Sequence, residues 1–135
     1  EQALLNTAGP DALSLHIMLA AARIAGQPFK EDILEDALGR LPYNADYFRR
    51  AFKERLGYTP AKFMEYKRME QAMNILSAGH SVKETAAMTG YPDVYYFSRQ
   101  FKKYMGTSPS AYRLSRKALE SARIVDGIVY PQRQG

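Results

Sequence analysis

Two sets of side chains carry the chemistry that this sequence offers. Asp46, Arg49, Arg50 and Lys53 are spaced by one, three and four residues, and Tyr95, Ser98, Arg99 and Lys102 repeat the pattern later in the chain. At about 3.6 residues per turn, each set lies along one side of a helix. Phe48, Ala51 and Phe52 fall opposite the first set, and Phe97, Phe101 and Met105 opposite the second. Each helix would therefore be anchored by aromatic rings and would turn a polar, cationic face outward. Arginine on such a face can donate two hydrogen bonds to O6 and N7 of a guanine, and lysine can neutralise phosphate. Asp46 fits two roles: accepting from a cytosine N4 amino group, or pairing with Arg50 one turn on and touching no base. A solvated helix face is the plain alternative for all of these residues, and Tyr95 could instead stack on a neighbour.

These helices belong to a repeat. The stretch YNADYFRRAFKERLGYTPAKF, 43–63, returns 49 residues later as PDVYYFSRQFKKYMGTSPSAY, 92–112. Upstream, Asp32 to Glu35 corresponds to Ser81 to Glu84. Both read as capping boxes, with an acceptor at the cap and a Glu three residues on. Each unit thus opens with a short capped helix and a turn, Arg40 to Tyr43 or Thr89 to Pro92. Asn44 and Asp93 cap the next helix, and Gly57 and Gly106 suit its left-handed end. Thr59-Pro60 and Ser108-Pro109 each start a further helix. The one from Pro60 runs to about Ser77, with Met69, Ala72, Met73 and Leu76 as a core stripe. An earlier helix spans about 11–25, either as a linker or as part of the first unit's packing. Periodicity weakens from about 118, and the tail is expected to be loose.

Composition narrows the classes. With 135 residues and 46% hydrophobic content, the chain can bury a core. It has no cysteine, hence no disulfide, no thiolate nucleophile and no cysteine zinc site. His16 and His80 are the only imidazoles. His16 reads as a packing residue and His80 as a turn residue with no evident partner. No nucleophile–base pair or metal cluster is visible, so no enzyme, metal or other cofactor is expected. There is no membrane-length apolar run and no secretory leader pattern, so a cytoplasmic location fits. The chain begins at Glu1 rather than Met, which fits a piece of a longer protein or a processed chain. Residues 1–46 carry three basic and seven acidic side chains, and residues 47–135 carry sixteen and seven. The basic block favours an anionic partner.

The expected fold is all-α: two helix-turn-helix units joined by a long helix. Residues 1–29 form an N-terminal linker and helix. Residues 30–58 form the first unit, 59–78 the connecting helix, 79–113 the second unit and 114–135 a tail. A short helix, a tight turn and a cationic second helix suit the major groove. Two such helices on one rod could enter successive groove segments about 34 Å apart. Their faces differ, so the site would be asymmetric. A basic helical module that meets an acidic protein is the alternative from another class.

At these residues the sequence resembles the DNA-binding domain of the AraC/XylS family of bacterial transcription regulators. The resemblance covers about 30–113. Its most specific part is TAAMTGYPDVYYFSRQFKKYMGTSPSAYR, 85–113, and RMEQAMNIL, 68–76, is similar to the connecting helix. It implies binding to double-stranded promoter DNA and regulation of transcription, more often as an activator, through contact with RNA polymerase. It implies that Asp46, Arg49 and Arg50 face bases in the first recognition helix and Val94, Tyr95, Ser98 and Arg99 in the second. Lys53 and Lys102 fall where phosphate contacts are expected. It further implies a C-terminal domain of a larger, ligand-responsive and nucleoid-associated regulator, whose effector would bind a domain outside this chain. Leu41-Pro42 departs from the Gly90-Tyr91 of the second turn, which leaves the aim of the first helix open.

Overall fold

The computed structural model describes residues 10–126. The described residues form seven helices: α1 (Pro10–Gly26), α2 (Ile33–Leu38), α3 (Ala45–Leu56), α4 (Pro60–Ser77), α5 (Val82–Met88), α6 (Val94–Met105) and α7 (Pro109–Asp126). The all-α expectation holds. The chain divides within α4, between Arg68 and Met69, into two units.

The first unit is built on helical periodicity. Leu13, Ile17, Ala20 and Ile24 of α1 are spaced by three and four and are buried. They meet Ile33 and Ala37 of α2 and Phe48, Ala51 and Phe52 of α3 in one core. Of the two readings left open for α1, the structure therefore selects packing within this unit. Arg23 of α1 pairs with Asp36 of α2 at 3.0 Å, and Lys30 lies 3.3 Å from the same carboxylate. Those two cations, Arg23 foremost, hold the Asp36 carboxyl below its ordinary range. Arg68 on α4 donates from Nε to the Pro28 carbonyl at 2.6 Å and stands over the Phe29 ring, which ties the α1–α2 loop to α4. His16 packs edge-on to Tyr43 as expected, and also lies 2.8 Å from the Tyr43 hydroxyl.

In the second unit Met69, Ala72 and Leu76 of α4 meet Ala86 of α5 and Phe97 and Phe101 of α6. Tyr112 of α7 packs partly against this core, and its hydroxyl lies 2.7 Å from Ser77 Oγ. Two threonines are buried here. Their hydroxyls donate to backbone carbonyls, Thr85 to Ser81 and Thr89 to Thr85, each at 2.8 Å, so neither leaves an orphan polar group.

The capping signals had unequal outcomes. Asn44 Oδ1 accepts from the Tyr47 amide and Asp93 Oδ1 from the Tyr95 amide. Thr59 Oγ1 accepts from Lys62 N–H and Ser108 Oγ from Ala111 N–H. Gly57 and Gly106 end their helices at φ of 89° and 82°, where a side chain would be strained. The Ser81–Glu84 capping box closes in both directions. Its Ser81 amide, more than the nearby His80 imidazole, holds the Glu84 carboxyl below its ordinary value. The corresponding box at Asp32 does not form. Asp32 adopts φ −106°, ψ 28° rather than the extended backbone of a cap, and its carboxylate lies 3.5 Å from Lys30 instead. Ser81→Ala is therefore expected to cost about 1 kcal/mol and Asp32→Ala only a few tenths. Urea midpoints of the two variants would check this, and equal shifts would contradict it.

Two further expectations are corrected. His80 does have a partner, with Nδ1 lying 3.4 Å from Glu84, because the closed box brings that carboxylate back to the turn. The chain past 118 is not loose through its described part, since α7 runs unbroken to Asp126. Residues 117–121 are exposed, so α7 continues there without a buried stripe; Ala, Leu, Lys, Arg and Glu propagate a helix on propensity. The stretch VYPQRQG lies outside the described residues. The two turns also differ as their sequences imply. Gly90 takes φ 81° and the Tyr91 amide returns to the Ala86 carbonyl, whereas Gly39 stays right-handed at φ −69°.

Candidate nucleic-acid interface

Helix α3 buries Phe48, Ala51 and Phe52 and leaves Asp46, Arg49, Arg50 and Lys53 exposed. These four line one shallow concavity together with Thr59, the cap of α4. The structure thus gathers every residue expected of the first reading face. It corrects one pairing: Asp46 binds Arg49, three residues on, and not Arg50. Side chains at i+3 and i+4 both neighbour position i on a helix, so spacing alone does not choose between two adjacent arginines. Arg50 has no ion-pair partner among the described residues. It lines a second concavity with Tyr47, Glu54 and Arg55.

Helix α6 repeats the arrangement with different chemistry. Phe97 and Phe101 are fully buried, while Tyr95, Arg99 and Lys102 are exposed. Tyr95 is 74% exposed and joins no ring pair among the described residues, so the stacking alternative is not the one adopted. Ser98 is half-buried. Val94 is half-buried as well and packs against the second core. Its side chain is therefore partly committed to the fold, and it lines an open concavity with Lys83, Pro92 and Asp93.

The positions that the spacing argument passed over are Tyr47 and Tyr96. Both are exposed, at 46% and 43%, and they correspond across the repeat. Each lies one turn before an arginine, Arg50 or Arg99. In the second unit the Arg99 guanidinium carbon lies 5.8 Å from the Tyr96 ring centre. The available signal was an aromatic three residues before the arginine in both copies.

Among the described residues no group of three or more His, Asp and Glu side chains could hold a metal ion, and no helix is long and apolar enough to cross a membrane.

Comparison with known proteins gives this surface its context. Residues 39–115 match a helix-turn-helix domain family. The chain is 38% identical over 101 residues to the uncharacterized HTH-type transcriptional regulator YisR of Bacillus subtilis, covering 72% of this chain and 35% of that protein. It is 40% identical over 76 residues to the raffinose operon transcriptional regulatory protein RafR of Pediococcus pentosaceus, covering 56% and 27%. It is 43% identical over 68 residues to the MmsAB operon regulatory protein of Pseudomonas aeruginosa, covering 50% and 22%. The chain therefore spans about a third or less of the length of these relatives. No solved structure gave a significant match. The match takes in α3, α6 and the two helices between them, and the chain belongs to the AraC/XylS type of helix-turn-helix domain, a family of DNA-binding transcriptional regulators.

Proposed function

We propose that α3 and α6 each lie in a major-groove segment of duplex promoter DNA and read it as an asymmetric site. Asp46, Arg49 and Arg50 face bases from α3; Val94, Tyr95, Ser98 and Arg99 face them from α6. Lys53 and Lys102 neutralise phosphates. The observation that carries this reading is the repeated build of the two helices. Each has an Asn or Asp cap, a buried Phe pair, a glycine end and an exposed cationic face. A helix fits the major groove, and an exposed Arg can donate its fork to guanine there. The chain acts in the cytoplasm at the nucleoid, as the DNA-binding part of a larger regulator that activates through RNA polymerase. An effector reaches it through a domain outside this chain. The names of the relatives, which describe transcriptional regulators and in two cases operon regulation, support this reading.

Gel retardation with random duplex at low salt tests it. Binding at micromolar protein is expected, with log affinity falling linearly as log salt rises. Lys102→Ala should weaken all sequences alike and reduce that slope by about one. No retardation would instead favour the basic module for an acidic protein, and a flat slope would remove phosphate from the interface.

A further inference from the structure

We propose that Tyr96 is a positioning residue for sequence readout, holding the Arg99 guanidinium by its face. The inference rests on the reading in which Arg99 contacts a base. The rings form a path from the core to the surface. Fully buried Phe97 lies 5.4 Å from Tyr91, Tyr91 lies 5.8 Å from Tyr96, and Tyr96 carries Arg99 at 5.8 Å. The outermost ring is therefore braced from behind while remaining 43% exposed.

The direction of this contact matters. A guanidinium is planar, and its five N–H donors point outward in its own plane. An aromatic ring engages the flat face and leaves those donors available. A carboxylate partner consumes them. The two modes coexist here: Arg49 spends donors on Asp46, whereas Arg99 is restrained and keeps its fork. A free arginine side chain loses rotamer entropy when it is fixed on a base, and a ring-held one has already lost part of it.

The first unit builds the same path from different positions. Phe48 lies 5.5 Å from Tyr43, and Tyr43 lies 6.1 Å from Tyr47, which shares a concavity with Arg50. Tyr43 does not occupy the repeat position of Tyr91, which corresponds to Pro42. Both units thus set a braced tyrosine one turn before an arginine, through turns of different shape, and the ring–guanidinium contact itself is formed in the second.

The test uses the whole 135-residue chain. Its probes are the duplex enriched by this chain from a random pool and a random duplex, and the readout is the ratio of the two affinities. Tyr96→Leu is expected to lower that ratio about two- to fivefold, the factor that an exposed cation–π contact supplies, with the salt slope unchanged. Tyr96→Phe should keep the ratio, because the ring remains. In an Arg99→Ala background Tyr96→Leu should lower it no further. Tyr96→Met preserves apolar volume against Tyr91 and guards against a folding defect, which thermal unfolding of each variant would report. A full Tyr96→Leu loss without Arg99, or a Tyr96→Phe loss equal to that of Leu, overturns the positioning role; the latter would make the hydroxyl itself the contact. An unchanged ratio for Arg99→Ala overturns the base-reading assignment beneath it. A lowered ratio for Arg99→Ala beside an unchanged one for Tyr96→Leu overturns the positioning alone.

Discussion

Phe101→Ala is expected to cost about 3–5 kcal/mol, the range for a fully buried aromatic cut to a methyl. The side chain has no exposed surface. Its ring lies 5.9 Å from that of Phe97 and 6.1 Å from that of Tyr112. The truncation therefore removes a ring contact between α6 and α7, in addition to opening a cavity. Domains of this size are stable by about 5–15 kcal/mol, so the loss is a large part of the whole. Urea unfolding followed by near-ultraviolet circular dichroism would register it as a marked fall in the midpoint. Phe101→Leu, which keeps most of the volume, should cost far less. Since α6 carries Arg99 and Lys102, loss of its anchorage should abolish DNA retardation even though no cation is altered. A cost under about 1 kcal/mol would show that the site collapses around the smaller side chain, and Phe101 would lose its place as the anchor.

The second large effect concerns reading rather than folding. Arg99→Ala is expected to weaken the preferred duplex by about 1–3 kcal/mol, roughly 5- to 150-fold, and to relax preference at one base pair. The exposed guanidinium has no acidic partner among the described residues, so its removal leaves no buried charge and should barely move stability. Arg99→Lys should recover little of the discrimination, because an ammonium cannot present the planar fork. Titration of each variant against single-base-pair variants of the selected site would locate the affected position. Equal losses on selected and random duplex would make Arg99 a phosphate contact.

The two expectations draw on different kinds of information. That Phe101 is buried follows from its spacing with Phe97 and Met105, since one helix face must meet the core for the helix to persist in water. That Arg99 is exposed follows from the same geometry read on the other side. The repeat doubled the strength of both readings, because Phe48 and Phe52 and Arg50 sit in the earlier copy. Local signals with only one conformational outcome also translated directly. Gly57 and Gly106 end helices because a left-handed residue is needed there, and Asn44 and Asp93 cap because their short side chains reach the free amides.

Where two partners compete, spacing was not enough. Asp46 had two arginines within one turn, and the packed helix gave it Arg49. Asp32 carried the same motif as Ser81, yet its backbone was held in a different conformation and its carboxylate went to Lys30. Val94 entered the reading side through the resemblance alone; three residues before Phe97 and seven before Phe101, it falls by spacing on the core side, where it is half-buried. Tyr96 escaped notice because its value lies in a path through Tyr91, a residue of the preceding turn.

The sequence by itself determined the all-α class, the two-fold repeat, the buried aromatic pairs and the side of each helix that meets solvent, because helical periodicity and glycine or cap chemistry act within a few residues. Only the tertiary structure decided that α1 belongs to the first core, which cation Asp46 holds, and which ring lies beneath Arg99. The first is set by distances between elements and the other two by the side-chain conformations that packing leaves to neighbours on one helix, and a linear spacing contains neither.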